Sequence, residues 1–172
     1  MIAKRVIQDQ YGIVVKPMNL ELTELQHDDP AVIARASVKE AYNLLGAPVI
    51  KCDSGIRIPG LNSFPGPYSN YVQRTIGVDG LLQVCDGLED RSAVIYSVVA
   101  FCDQRLDPVA FYDETPGTLL KEKRGEHGYF FDFIFVPQGH TQTLAEFDDA
   151  KRCKFWKGAY ERFARWYATR ER

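Results

Sequence analysis

Apolar and polar positions along this chain fall into two recurring patterns, and each predicts a kind of element. Residues 4–11 read as the end of a short helix, and Ile13-Val14-Val15 as a strand closed by Pro17. Leu20-Glu21-Leu22-Thr23-Glu24-Leu25-Gln26 alternates as a half-solvated strand does. Asp29-Pro30 then opens a helix, with Pro favoured in the first turn. Val32, Ile33, Ala36, Glu40, Ala41, Leu44 and Leu45 follow at mostly helical spacing, and Gly46 is a fitting stop. Val49-Ile50 reads as a short buried strand that delivers Asp53 into an acid–hydroxyl–glycine turn, Asp53-Ser54-Gly55. The next loop, Phe64-Pro65-Gly66-Pro67-Tyr68, is too rich in Pro and Gly to be packed helix or strand.

Residues 68–75 and 78–85 read as helices around Gly77. Ala93 to Phe101 is rich in β-branched and aromatic residues and predicts a strand, which Val109 to Tyr112 pairs across the Asp103–Pro108 turn. Tyr129 to Val136 is a third apolar run, interrupted only by Asp132 and ended by Pro137-Gln138-Gly139. From about Asp148 to Arg172 the pattern is helical, with Phe155, Trp156, Ala159, Tyr160, Phe163 and Trp166/Tyr167 forming one apolar stripe. The elements together make a mixed α/β single domain with no internal repeat or linker.

Composition narrows the function classes. The 172 residues are 45% hydrophobic and 26% charged, which suits one globular domain with a full core. A net charge of −2 provides no global field to recruit nucleic acid or an anionic membrane. No apolar run reaches spanning length and no leader pattern follows Met1, so a cytoplasmic location is the expectation. Cys52, Cys85, Cys102 and Cys153 are widely spaced, with no CxxC pair, and read as free thiols.

Few residues here carry chemistry. Asp53 is the first candidate: a carboxylate at a strand end can bind Mg²⁺ and leave the other positions to water and phosphate. The alternative is an Asx-type turn in which Asp53 bonds the Ser54-Gly55 backbone. Glu24 is either a solvated strand residue or a second carboxylate facing Asp53. Asp132, alone among aromatic residues, would be costly to bury without a partner. It either bonds a ligand's polar edge, with Tyr129 or Phe131 stacking on a planar ring, or faces water from an edge strand. Lys151, Arg152, Lys154 and Lys157 open the last helix, as a solvated face or as cations for a phosphate group. His27 and His140 lie in polar loops, and no nucleophile-plus-base arrangement or Walker loop is visible.

These residues occur in an order that resembles the inosine-triphosphate pyrophosphatase family. Leu22-Thr23-Glu24-Leu25-Gln26 looks like its "LPEIQ" segment, Cys52-Asp53-Ser54-Gly55 its "EDTG/DDSG" turn, and Phe64-Pro65-Gly66-Pro67-Tyr68 its "PGPY" loop. Tyr129-Phe130-Phe131-Asp132 is similar to its "FGWDP" segment, and Pro137-Gln138-Gly139 to Thr143-Leu144-Ala145-Glu146 follows its "PDG…TYAE" run. The resemblance implies a single domain over residues 1–172, with a mixed, elongated central sheet flanked by helices and a pyrophosphatase-like cleft. It implies Mg²⁺-dependent hydrolysis of deaminated purine nucleoside triphosphates to monophosphate and pyrophosphate, in a homodimer that binds neither nucleic acid nor membrane. Glu24 and Asp53 would hold the metal, with Asp53 also catalytic. Ser54, Gly55, Tyr129, Phe131, Asp132, Lys151, Arg152, Lys154 and Lys157 would bind substrate.

The chain departs from the family pattern in four places. It is expected to begin after the family's first strand and its "TGNxxK" phosphate loop. Ser37 and Asn70 stand where lysines are expected, the "SHR" triplet falls at Trp156-Lys157-Gly158, and Cys52 replaces the first acid of the acidic turn. The alternative function is therefore a catalytically impaired nucleotide-binding or dimeric regulatory module on the same fold.

Overall fold

A computed structural model describes residues 2–170, and the last two residues of the expected C-terminal helix lie outside them. The fold is α/β. Five strands, β1 (Val49–Arg57), β2 (Pro65–Gly66), β3 (Ser92–Asp103), β4 (Leu106–Leu119) and β5 (Phe135–Pro137), form one sheet in the order β2-β1-β3-β4-β5. β1 pairs β2 and β4 pairs β5 antiparallel, and the two-residue Gln104-Arg105 turn makes β3–β4 an antiparallel hairpin. Where the sequence suggested a mixed sheet, these neighbours are antiparallel.

The chain forms two compact units. The first gathers the N-terminal segment through Asp53, Ser97–Asp113 and the segment from Trp156. A π-helical turn, Lys4–Gln8, leads into α1 (Asp9–Tyr11), and Gly12 follows with a left-handed φ of 70°. α2 (Pro30–Leu45) has the expected ends: the Asp29 carboxylate accepts from the Ala31 N–H at 2.8 Å, and Gly46 closes the helix in the left-handed conformation. Its buried face is not the expected stripe. Pro30, Ala34, Ser37, Val38 and Ala41 turn inward, whereas Leu44 is 61% exposed. Small residues on that face permit close packing, which hydrophobicity alone does not reveal.

The expected strands at Ile13–Val15 and Leu20–Gln26 are absent; no regular structure occupies residues 12–28. Ile13 and Val15 do pack against the core while Val14 is exposed, so the alternation is real, but no neighbouring strand provides a ladder. A long-range polar anchor for this segment is Thr23, whose N–H and hydroxyl donate to the Glu40 carboxylate on α2 at 3.0–3.2 Å. The C-terminal aromatic stripe closes this unit's core. Helix α6 (Gly158–Arg170) buries Ala159, Phe163 and Ala164 against Ile7, Val99 and Phe101, and the Phe163 ring lies 5.6 Å from Phe101 and 5.9 Å from Phe111.

The second unit comprises Ser54–Tyr96 and Glu114–Phe155. α3 (Ser69–Thr75) and α4 (Gly77–Val84) meet at Gly77 as expected. The Pro- and Gly-rich loop contains a strand after all: Pro65 and Gly66 pair with Arg57 and Ile56. A two-residue edge strand tolerates Pro because only one face of its backbone is bonded. The guanidinium of Arg91 donates to the carbonyls of Cys85, Leu119 and Leu120 at 2.7–2.9 Å, which ties the end of α4 to β4. The apolar run from Tyr129 is not one strand. It forms a 3-10 turn at Phe130–Phe133 and then β5. The expected C-terminal helix is also split, since four residues separate the end of α5 (Asp149–Cys153) from the start of α6.

Candidate functional site

β1 runs unbroken through Cys52, Asp53, Ser54 and Gly55, so the acidic segment is strand and not a turn. This removes the Asx-turn alternative for Asp53. The reason lies at Gly55: a Cβ there would come within 2.5 Å of the Tyr96 hydroxyl, 2.7 Å of the Gly66 carbonyl and 2.7 Å of Ser69 Oγ. Only Gly allows β2 and Ser69 to approach β1 so closely, and Ser69 Oγ accepts from the Ile56 N–H at 3.0 Å while donating to the Gly66 carbonyl at 2.7 Å. Ser54 is exposed and Asp53 half-buried.

In the first unit, Glu24 is exposed within the irregular segment that Thr23 fastens to Glu40. The neighbour of Asp53, Cys52, has its thiol pushed up to about 11 by burial, partly offset by a hydrogen bond with Tyr160, so it is uncharged at neutral pH. Lys157 lies outside the helices, ahead of α6, with its ammonium 2.7 Å from the Glu161 carboxylate.

In the second unit the base-pocket candidates come together. Asp132 is 6% exposed in the 3-10 turn, not on an edge strand facing water. Its Oδ2 accepts the Tyr129 N–H at 2.9 Å and lies 4.0 Å from Nε of Arg152. Burial pushes the Asp132 carboxyl up to about 6, against the lowering effects of the Tyr129 N–H and Arg152. Phe130, next to it, takes a φ of 47°, uncommon for a bulky residue and a mark of local strain. Gly128, at φ 96°, has no Cβ to meet Asp132 Oδ2 and Arg152 Nη1, which would stand 2.4 and 2.9 Å from it. Phe131 is buried with its ring 5.4 Å from Phe130, and Tyr129 is 63% exposed, a free aromatic face beside a buried acid.

Lys151 and Lys154 are exposed, and Asp148 caps α5 by accepting the Lys151 N–H at 2.7 Å. Arg152 is not a solvated cation: its Nη2 meets Asp149 at 2.6 Å and its Nε faces Asp132. The anchoring role of Glu40 escaped the sequence reading, because seventeen positions separate it from Thr23. Among the described residues no group of three His, Cys, Asp or Glu side chains could hold a metal ion, and no helix is long and apolar enough to cross a membrane.

The fold and these segments define a class. Solved Ham1 proteins share the architecture: one from Staphylococcus aureus aligns with a TM-score of 0.79 at 21% identity, over 88% of this chain and 82% of that one. A second, from Coxiella burnetii, gives 0.75 at 23%, over 97% and 91%. The chain belongs to the Ham1 family, whose model matches residues 3–166. It is 43% identical over 167 residues to a dITP/XTP pyrophosphatase of Methanopyrus kandleri, spanning 96% of this chain and 88% of that protein. A dITP/XTP pyrophosphatase of Saccharolobus solfataricus is 34% identical over 160 residues, at 92% and 83%.

Proposed function

We propose that the protein hydrolyses deaminated purine nucleoside triphosphates to the monophosphate and pyrophosphate. The observation that carries this reading is the near full-length similarity to relatives named dITP/XTP pyrophosphatase, together with the family match. A cytoplasmic location accords with it.

A carboxylate on a strand and another in the irregular segment are oxygen donors of the kind Mg²⁺ takes. This ion is usually held by one or two carboxylates plus substrate phosphates and water. Asp53 and Glu24 would be those ligands, and the ion would neutralise triphosphate charge when bound. Asp53 also takes the proton of the attacking water as the bond to the pyrophosphate leaving group breaks. Cys52 cannot share that task, because its thiol stays protonated. Tyr129 and Phe131 stack on or wall the purine, Asp132 orders the turn that presents them, and Lys151 and Lys154 neutralise phosphate.

A pyrophosphate-release assay with dITP, XTP and the four standard deoxynucleoside triphosphates, with and without Mg²⁺, tests the reading. Turnover of dITP no faster than in an Asp53→Ala variant would overturn it. The uncharged thiol at Cys52 favours a second reading, a nucleotide-binding module with weakened catalysis; calorimetry showing tight dITP binding without turnover would select it. Exposed Phe64, Tyr68 and Tyr71 on the second unit suit burial in a homodimer, which light scattering checks.

A further inference from the structure

Residues 12–28 have no regular structure, yet they include Glu24, one of the two proposed Mg²⁺ ligands. A carboxylate on unsupported chain is a poor ligand, because binding must order the backbone as well as the side chain. Thr23, the residue before Glu24, is held. Its N–H donates to both oxygens of the Glu40 carboxylate, at 3.2 and 3.0 Å, and its hydroxyl donates to Oε1 at 3.1 Å. Two donors of one residue on one planar carboxylate fix the direction of the chain as well as its position. Consecutive Cα atoms stand about 3.8 Å apart, so the clasp also confines the start of Glu24. Glu40 sits on α2, whose ends are closed by Asp29 and Gly46, and three residues link that helix to β1, which carries Asp53. The similar family segment, LPEIQ, has Pro where Thr23 stands. A Pro ring stiffens the chain by itself, and Thr has no such restraint. Water reaches these bonds, so they add little to global stability and act on local order.

We infer that Glu40 is a positioning residue, whose carboxylate clasps Thr23 and so holds Glu24 ready for a divalent cation. The inference rests on the pyrophosphatase reading above and deepens it by naming what sets the affinity of the metal site. Glu40 acts through Glu24 and is not itself a ligand. Without the clasp, cation binding would have to order this stretch of chain. Fixing the backbone of one residue is worth about 5- to 30-fold in an equilibrium constant.

Two readouts without nucleotide test this on the full chain: amide hydrogen exchange over residues 20–27, and Mn²⁺ titration followed by electron paramagnetic resonance. Wild type is compared with Glu40→Ala, Glu40→Gln, Thr23→Ala and the double variant, with folding checked by thermal melting. Glu40→Ala, a helix-compatible change, should melt within a few degrees of wild type. It should speed exchange around Thr23 by about 10-fold and weaken Mn²⁺ binding by about 5- to 30-fold. Glu40→Gln, which keeps an acceptor, should lose less. Thr23→Ala changes no charge and should weaken Mn²⁺ part of the way, adding nothing further in the Glu40→Ala background. The Mg²⁺ needed for half-maximal dITP turnover should rise in parallel, while kcat at saturating Mg²⁺ changes by less than about threefold. If Glu40 acts by charge alone, Glu40→Gln is as damaging as Glu40→Ala and Thr23→Ala is silent, which overturns the inference. Equal exchange, or equal Mn²⁺ affinity, in wild type and Glu40→Ala also overturns it and leaves the pyrophosphatase reading intact. If the wild type takes up no Mn²⁺, the metal reading itself fails, and the inference with it.

Discussion

Replacing Asp132 by Asn should make the protein more stable at neutral pH, contrary to the usual outcome of removing a buried charge partner. Asp132 is 6% exposed, and burial raises its carboxyl from the ordinary 3.8 to about 6. Among the described residues the cation facing it is Arg152, which stands at 4.0 Å, the outer limit of an ion pair, and makes its closest contact with Asp149. The folded state therefore binds this proton more tightly than the unfolded chain. For a raised carboxyl the stabilising contribution is complete below about pH 4 and is lost as pH rises through about 6. A difference of about two pH units corresponds to about 3 kcal/mol. Asn imitates the protonated acid and can still accept the Tyr129 N–H, so the variant does not incur this loss. Urea unfolding of both proteins at half-unit steps from pH 4 to 7.5 gives a difference curve in which groups common to both cancel. That cancellation matters, because Asp90, Asp103 and Asp148 are lowered and tilt the parent curve the other way. The expected difference is near zero at pH 4 and reaches about 3 kcal/mol in favour of Asn by pH 7.5. A variant that is less stable at pH 7.5, or a flat difference curve, would mean that Arg152 holds Asp132 ionised and would refute the reasoning.

Other expectations can be checked with single variants. Asp53→Ala should lower dITP turnover by about 100-fold or more while leaving the melting temperature within a few degrees, since the residue is half-buried and is the proposed catalytic group. Gly55→Ala should lower the melting temperature by roughly 3–10 °C, because the Gly66 carbonyl at 2.7 Å is backbone and cannot yield as a side chain would. Phe163→Ala removes a ring that contacts Phe101, Phe111, Trp166 and Tyr167 and should cost about 3–5 kcal/mol in chemical denaturation. Cys52 should resist alkylation at pH 8 in the native protein and react once urea unfolds it, as mass mapping would reveal. If residues 1–172 behave as one domain, calorimetry should give a single transition whose van't Hoff and calorimetric enthalpies agree.

Much of the architecture is determined by local chemistry and could be read from the chain. The ends of α2 follow from Asp29-Pro30 and Gly46, the helix pair at 69–84 from Gly77, and β3 from a β-branched run, because capping and left-handed φ are properties of individual residues. Three misreadings share one cause. Ile13–Val15 alternates yet forms no strand, the acidic segment reads as a turn yet continues β1, and Pro65-Gly66 pairs despite its composition. In each, pairing depends on what a distant segment offers, and no local pattern encodes that partner.

The same division applies to the site. Family membership was legible from residue types in order, and the same order singled out Asp53, Tyr129, Phe131 and Asp132 as site candidates. The state of those groups was not legible. That Asp132 is buried near Arg152 and protonates near 6, that Cys52 is silenced by burial, and that Thr23 is clasped to Glu40 all follow from tertiary packing. Burial and the distance between charges set protonation and hydrogen-bond supply, and only the folded chain determines either.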